Sequence, residues 1–124
     1  MSKIGCLVRV SSKDQNPEGQ YEAIRKWLTE HGHDESVARW YEDRETGKHL
    51  NRKGFLRLQK DVGAGRVTTI ICFHLDRVAR NMLDGMITVA GWLEKDVRIV
   101  VLTPGFEVRG IMGKAMSTML FMFA

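Results

Sequence analysis

The chain has 124 residues, of which 44% are hydrophobic, and a formal charge of +4 from 19 Lys and Arg against 15 Asp and Glu. The length favours a single domain, and the composition supplies enough apolar surface for a core, which excludes a disordered chain. The basic excess is compatible with a polyanionic partner but too mild to require one. No apolar stretch reaches the ~18 residues of a membrane span and no signal peptide is visible, so we expect a cytoplasmic protein with no membrane partner.

Strand and helix patterns alternate along the sequence. The predicted strands are Lys3 to Val10, Val37 to Glu42, Val67 to Phe73, Arg98 to Leu102 and a short edge strand from Phe106 to Arg109. The predicted helices are Asn16 to His31, a second with Phe55, Leu58 and Val62 on its apolar side that ends at Gly63, and a third with Leu83, Met86, Ile87, Ala90 and Leu93 at helical spacing. This order predicts an α/β domain of three layers, with a mostly parallel sheet of four or five strands and helices on both faces.

The two cysteines and four histidines do not form a metal-binding pattern. Cys6 and Cys72 fall inside predicted strands, where a free thiol acts as a small apolar filler in a reducing compartment. The histidines are scattered, without the spacing of a zinc site. We therefore expect no metal ion and no cofactor.

The segment from Ile111 to Ala124 differs from the preceding helices because it is apolar around most of its circumference. A helix of this kind is either fully buried in its own domain or covered by a partner. Its methionines suit an adaptable interface, so we expect self-association through this segment. Because the pattern is interrupted at Ala124 without a stop signal, we also expect a domain spanning 1–124 that is truncated within this helix.

Functional side chains gather where the predicted strands end. Arg9 and Ser11 end the first strand, and Asp76 and Arg77 follow the strand that begins at Val67, with Arg80 three residues further on. Since ligands bind at the carboxyl ends of parallel strands, we expect a cationic anion site there. A serine hydroxyl among guanidiniums points to attack on phosphorus.

Two ordinary explanations of the same residues remain open. Ser11 precedes a helix, and Ser12 and Gln15 have the spacing of a capping box, so the serines also fit a helix cap. Asp76 with its neighbouring arginines also fits a surface ion pair of little energetic value. The polar segment from Asp43 to Asn51 is expected to be a mobile loop, after which Arg52 is available to join the cluster.

The order and spacing of these residues resemble the catalytic domain of the serine recombinases, the resolvases, invertases and serine integrases. The matching residues are Arg9-Val10-Ser11-Ser12-x-x-Gln15, Gln20, Asp43-x-x-Thr46-Gly47, Arg52 and Leu75-Asp76-Arg77-x-x-Arg80. The resemblance runs from Ile4 to the last helix. It implies a site-specific DNA recombinase that cleaves and rejoins phosphodiesters through a 5′-phosphoserine intermediate, without ATP or metal.

The resemblance also implies a role for each matched residue. Ser11 is the implied nucleophile, and Arg9, Arg77 and Arg80 are the implied phosphate-binding set. Arg52 matches the arginine that follows the loop, and Asp43 matches the carboxylate that precedes it. Asp76 matches the residue that orients the arginines or handles the leaving-group proton, and Gln20 matches a polar supporting residue. The implied partners are double-stranded DNA and further copies of the chain, as a dimer and, during strand exchange, a tetramer, joined through Ile111 to Ala124.

The sequence departs from the family pattern at two positions, and two other functions remain open. Ala79 stands where Gly is usual, and His74 stands where a polar residue is common, either as a proton carrier or as a structural histidine at the site's edge. One alternative is a catalytically silent self-associating domain of the same fold. A nucleotide-binding domain is weaker, because no G-x-G-x-x-G or Walker-type loop follows the first strand.

Overall fold

The chain folds around one sheet, in a computed structural model that describes residues 3–11, 16, 18–46, 49–79, 81–103 and 105–108. The strands are β1 (Ile4–Ser11), β2 (Ala38–Thr46), β3 (His49–Asn51), β4 (Thr69–Cys72), β5 (Arg98–Val101) and β6 (Phe106–Val108). The α-helices are α1 (Glu18–Glu30), α2 (Lys53–Gly63) and α3 (Met82–Glu94). Short 3₁₀ turns lie at Glu35–Val37 and Leu75–Arg77.

The described strands lie in the order β3-β2-β1-β4-β5-β6. The four central strands are parallel, and β3 and β6 pair antiparallel at the two edges. The predicted α/β class with a mostly parallel sheet is confirmed. The sheet has six described strands, where four or five were predicted, because the polar segment after β2 returns as β3.

Helices cover both faces of the sheet. On one face, Ile24 and Leu28 of α1 pack with Cys6, Val8 and Ile71 of the central strands. The other face is covered by α2 and α3, whose apolar side chains pack against the alternate residues of the same strands. That second cluster includes Phe55, Leu58, Val62, Val89, Trp92 and Leu93 with Leu7 and Ile70. The central strands are thus buried on both sides, as their continuous apolar sequences predict.

The prediction of a loop from Asp43 to Asn51 is wrong for the described residues. β2 continues to Thr46, because Ala38 to Glu45 pair with the whole of β1 and Arg44 to Thr46 pair back onto Asn51 to His49. At the carboxyl end of β2, Asp43 and Glu45 lie beside Arg9 and Ser11 of β1. Composition alone therefore gave the wrong secondary structure.

Two further expectations are tested by burial. Cys6 and Cys72 are fully buried free thiols, as expected for small apolar filler, and this burial raises the pKa of each to about 12. In α3 the predicted stripe is partly wrong, since Leu83 and Ile87 are exposed while Trp92 is buried. The segment from Ile111 to Ala124 lies outside the described residues. Among the described helices, none is long and apolar enough to cross a membrane.

Candidate active site at the carboxyl edge of the sheet

The carboxyl ends of β1, β2 and β4 meet at one edge of the sheet, as the sequence predicts. In the register of β1 and β2, Arg9 lies beside Asp43 and Ser11 beside Glu45. β4 ends at Cys72 beside Leu7, and the chain then enters the 3₁₀ turn that carries Asp76 and Arg77. A cavity of about 270 Å³ at this edge is lined by Arg9, Ser11, Glu45, Asp76, Arg77 and Ala79.

Arg9 is a buried cation, and two of its three guanidinium nitrogens have no hydrogen-bond partner in the described part of the chain. Its exposed fraction is 5%, and neither Nε nor Nη2 has a hydrogen-bond partner there. Burial lowers the pKa of Arg9, and the charge of Arg52 lowers it further, while Asp43, Glu45 and Asp76 act in the opposite direction. A buried guanidinium with unmade hydrogen bonds is costly, so this arrangement favours binding of an anion.

Gln20 holds the main chain of Arg9 in place. This buried side chain of α1 donates from Nε2 to the Arg9 carbonyl oxygen at 2.7 Å, and its Oε1 lies 3.4 Å from the Arg9 amide nitrogen, which donates to it. The side-chain amide of Gln20 thus holds both the backbone N–H and the backbone carbonyl of Arg9. These two hydrogen bonds connect the first turn of α1 directly to the end of β1. Gln20 thus positions Arg9 and does not line the cavity itself.

Asp43 and Arg52 form a charged pair next to Arg9 that does not itself line the cavity. Asp43 is fully buried, its Oδ1 accepts a hydrogen bond of 2.9 Å from the Phe55 amide at the start of α2, and its Oδ2 lies 3.9 Å from Arg52 Nε. Burial raises the pKa of Asp43, against the opposing effects of the Phe55 hydrogen bond and the charges of Arg52 and Arg9. Arg52 donates to the Val78 carbonyl and lies over the Phe55 ring, with Cζ 3.8 Å from the ring centroid. Arg52 is not part of the cavity lining.

Asp76 lies between Arg77 and His74 on the outer side of the cavity. Its Oδ1 is 3.4 Å from Arg77 Nε and 3.3 Å from His74 Nδ1. The Asp76 amide also lies 3.2 Å from that same ring nitrogen. A protonated Nδ1 pairs with the carboxylate, whereas an unprotonated one accepts from the amide, so His74 supports this turn in either state. His74 therefore contacts Asp76 and is not among the residues that line the cavity with Ser11.

Glu45 is a site residue that the sequence reasoning missed. It is the β2 neighbour of Ser11 and shares its cavity. Its identification depends on the strand register. A β2 that ends at Glu42 does not reach the position beside Ser11, so the sequence pattern does not include Glu45 in the site. If β2 had been extended along the full length of β1, the parallel pairing would have placed Glu45 beside the serine.

The structure brings most of the predicted site residues together. Ser11, Arg9, Asp76 and Arg77 share one cavity, while Gln20, Asp43 and Arg52 form its supporting layer. Arg80, like Ser12 and Gln15, lies outside the described residues. No three His, Cys, Asp or Glu side chains in the described ranges are placed to hold a metal ion. The cavity lining carries two guanidiniums, Arg9 and Arg77, and two carboxylates, Glu45 and Asp76. Its capacity to bind an anion therefore depends on the unused donors of Arg9 and not on an excess of positive charge.

The chain is similar to proteins of one family. Residues 4–124 match the family described as "Resolvase, N terminal domain". A transposon Tn501 resolvase of Pseudomonas aeruginosa is 33% identical over 103 residues, which cover 83% of this chain and 48% of that protein. The DNA-invertase hin of Salmonella typhimurium is 32% identical over 114 residues, covering 92% of this chain and 54% of that protein. The chain thus spans about half the length of these curated relatives.

Solved structures share the fold. The N-terminal catalytic domain of TP901-1 integrase superimposes with a TM-score of 0.76 at 21% identity, covering 97% of this chain and 92% of that one. A resolvase family site-specific recombinase from Streptococcus pneumoniae has a TM-score of 0.75 at 19% identity, covering 99% of this chain and 87% of that one. With nearly its whole length matched by the family's sequence pattern, the chain belongs to the resolvase N-terminal domain family of serine recombinases.

Proposed function

We propose that this chain is the catalytic domain of a site-specific DNA recombinase in which Ser11 attacks a DNA phosphodiester. The observation that carries the proposal is the cavity that places Ser11 with two guanidiniums, of which Arg9 is buried with unused donors. The naming of relatives as resolvases and as a DNA-invertase supports DNA as the substrate. We assign Arg80, outside the described residues, to the same phosphate-binding set on the family resemblance.

In the proposed reaction, a bond forms between Ser11 Oγ and phosphorus while the bond from phosphorus to the 3′-oxygen breaks. The Ser11 hydroxyl gives up one proton and the departing 3′-oxygen takes up one, so the proton count is unchanged. The leaving group is a 3′-hydroxyl, and the DNA 5′-end remains esterified to Ser11. Negative charge grows on the phosphoryl oxygens, and fixed guanidiniums bind that charge more tightly than they bind the substrate. Attack by another 3′-hydroxyl on the phosphoserine ester reverses these steps, so rejoining needs no ATP.

The supporting residues are assigned to positioning. Gln20 fixes the backbone of Arg9, and Asp43 fixes the first turn of α2, which begins immediately after Arg52. Because Arg52 is engaged with the Val78 carbonyl and the Phe55 ring, we propose that DNA binding draws it toward the phosphate. Asp76 orients Arg77 through the contact between their side chains.

The test uses the chain joined to a DNA-binding domain, with that domain's target sequence flanking the cleavage site. We expect a covalent protein–DNA adduct in the wild-type chain and none with Ser11→Ala. Ser36→Ala is the matched control, since Ser36 is an exposed residue of the first 3₁₀ turn, and it should leave the adduct unchanged. Adding EDTA should also leave cleavage intact, because arginines supply the positive charge. An adduct that persists in Ser11→Ala would remove Ser11 from this role.

We further propose that copies of the chain associate through the segment from Ile111 to Ala124. The support is its apolar pattern and the catalytic need to bring separate DNA ends together. A dimer would place two serines on one duplex, and a tetramer would hold the four ends of two duplexes. Double-strand cleavage should therefore depend on association, whereas phosphate binding by one copy should not.

A further inference from the structure

A second cavity, whose lining is mainly cationic, lies beside β2 and α2 at the end of the sheet that is far from the candidate active site. Its volume is about 350 Å³, and four cationic side chains, Arg39, Arg57, Lys60 and Arg66, line it together with one carboxylate, Asp61. Four cations against one anion leave a local excess of three positive charges, in a chain whose whole formal charge is +4. This cavity shares no lining residue with the candidate active site.

The acceptor atoms of Asp61 are already engaged. Its Oδ2 accepts a hydrogen bond of 2.5 Å from the Tyr41 hydroxyl and lies 3.8 Å from Arg39 Nη1, and its Oδ1 lies 3.3 Å from Arg66 Nη1. The Tyr41 hydrogen bond lowers the pKa of Asp61, aided by the nearby arginines and opposed by desolvation. The carboxylate is therefore ionised, but it neutralises at most one of the four surrounding cations.

Arg57 and Lys60, unlike Arg39 and Arg66, form no ion pair with Asp61 in the described part of the chain. Arg57 donates to the Trp40 carbonyl oxygen at 3.0 Å, and its Cζ lies 5.3 Å from the centroid of the Tyr41 ring. Lys60 lies in the last turn of α2, where the helix dipole favours a cation. The side chains of Arg39 and Arg66 remain about half exposed, so several of their donors face solvent. The helix end explains Lys60, but it does not explain three guanidiniums around one cavity.

We propose that this cavity binds phosphate groups of a nucleic-acid backbone, as a second DNA contact remote from the cleavage site. Arg39 precedes Asp43 by four residues in β2, so the two sites are about 13 Å apart along the strand. Protein interfaces have an apolar centre. Of the two aromatic residues that line this cavity, Tyr41 is 2% exposed and Trp40 is partly buried against the cluster that contains Ile24. Charged lining without an exposed apolar centre is the character of a surface that binds phosphates.

The choice of DNA as the source of the phosphates rests on the proposed function, whereas the presence of an anion site rests on the local charges alone. The two are tested separately in the 124-residue chain. Binding of a labelled duplex of arbitrary sequence is followed by fluorescence anisotropy over a series of NaCl concentrations. Inorganic phosphate is titrated in parallel, and chemical shifts of the arginine side chains are followed by NMR.

The test variant is Arg39→Gln with Arg66→Gln, and the matched control is Lys26→Gln with Lys95→Gln, which removes two positive charges from exposed positions elsewhere. We expect weaker duplex binding in the test variant and a salt slope, the change in log K with log[NaCl], that is smaller by about 2, since each lost phosphate contact removes about one unit. Inorganic phosphate should shift the Arg39 and Arg66 signals of the wild-type chain. Melting temperatures confirm that both variants are folded.

Equal binding and equal salt slopes in the test and control variants would overturn the proposal. It would also be overturned if the test variant changed only a monomer–dimer equilibrium, since the cavity would then bind an acidic protein surface. Arg77→Gln, at the candidate active site, provides the distinguishing arm. If Arg77→Gln loses duplex binding and the Arg39→Gln, Arg66→Gln variant does not, the proposed function is supported and the second site is contradicted. If the double variant loses duplex binding and Arg77→Gln does not, the second site is supported and DNA binding at the candidate active site is contradicted.

Discussion

Arg9 shows how a costly side chain indicates a function. A buried guanidinium with two nitrogens lacking partners among the described residues destabilises the free protein. The backbone clamp by Gln20 prevents the simplest relief, which would be movement of the strand end toward solvent. A bound phosphate supplies the missing acceptors, so the same arrangement that destabilises the free chain preorganises the site for an anion.

Asp43 gives a prediction about stability and pH. Burial raises the pKa of this carboxyl, so the folded chain binds its proton more tightly than the unfolded chain does. Its contribution to stability is therefore present at acid pH and is lost as pH rises through the folded-state pKa. Asp43→Asn removes the charge and keeps an acceptor for the Phe55 amide. Its melting temperature relative to wild type should increase between acid and neutral pH.

Thermal unfolding measured at a series of pH values checks this expectation. Glu22→Gln, at an exposed position of α1, is the control and should show little pH-dependent difference from wild type. If the melting temperature of Asp43→Asn relative to wild type instead decreases toward neutral pH, the ion pair of Asp43 with Arg52 outweighs the desolvation of Asp43. Cleavage should be slower in Asp43→Asn at every pH, since Arg9 and Arg52 lose their nearest buried countercharge.

Arg77 distinguishes phosphate binding from an ordinary ion pair with Asp76. If Arg77 only pairs with Asp76, Arg77→Lys retains the charge and costs at most ~1 kcal/mol of stability, with no effect on cleavage. If its planar fork binds a phosphoryl oxygen, lysine provides one compact ammonium in its place, and the rate should fall on the order of 10²–10³. Single-turnover cleavage and thermal unfolding of the same variant provide both readouts. Arg25→Lys, which alters an exposed pair with Glu35, should change neither.

At the scale of elements, the contact between α2 and β2 sets the geometry behind the cavity. A Cβ atom at Gly54 would lie 2.6 Å from the Glu42 carbonyl oxygen and 2.7 Å from the Glu42 nitrogen. This close approach is what allows the first turn of α2 to donate a hydrogen bond to Asp43. A side chain at this position would push the helix away from the strand and displace Arg52.

Gly54→Ala should therefore destabilise the fold by about 1–3 kcal/mol, the usual range for an overpacked core. Gly91→Ala in α3 is the matched control, because a Cβ there meets nothing within 4 Å. Replacing this helical glycine should stabilise the protein by about 0.5–1 kcal/mol. Chemical denaturation of both variants measures the change in the free energy of unfolding, which should be a decrease for Gly54→Ala and an increase for Gly91→Ala. Equal effects of the two substitutions would show that the α2–β2 contact has no special role.

The elements also show what the sequence could predict. The buried strands and amphipathic helices follow from local patterns, and the convergence of Arg9, Ser11 and Arg77 follows from the parallel topology. The extension of β2 to Thr46 does not follow, because its polar end is stabilised by pairing with β1 and not by its own composition. The orientation of Arg52 toward Val78 is likewise a tertiary contact that no local pattern encodes.

At the scale of the whole molecule, β2 and α2 connect two cationic regions with different environments. At the carboxyl edge of the sheet Arg9 is buried, Arg52 and Arg77 are partly buried, and Gln20 and Asp43 support them, which suits charge development during a reaction. At the opposite end they are half exposed and surround a saturated carboxylate, which suits binding without chemistry. Under the proposed function, a chain with two such regions would contact DNA both at the phosphodiester that Ser11 attacks and away from it.

The segment from Ile111 to Ala124 gives the last prediction, which concerns association of the whole molecule. If this apolar segment is the interface between copies, Met116→Lys places a charge where it must be desolvated without a partner. Association should then weaken by roughly 10²- to 10⁴-fold, since an uncompensated buried charge costs roughly 3–5 kcal/mol. Leu56→Lys is the matched control, an apolar-to-lysine change at a position of α2 that is 65% exposed. Analytical ultracentrifugation over a concentration series should show monomers for Met116→Lys at concentrations where wild type and Leu56→Lys associate. If both variants associate like wild type, copies of the chain meet through another surface, and the apolar segment instead belongs to the core of its own domain.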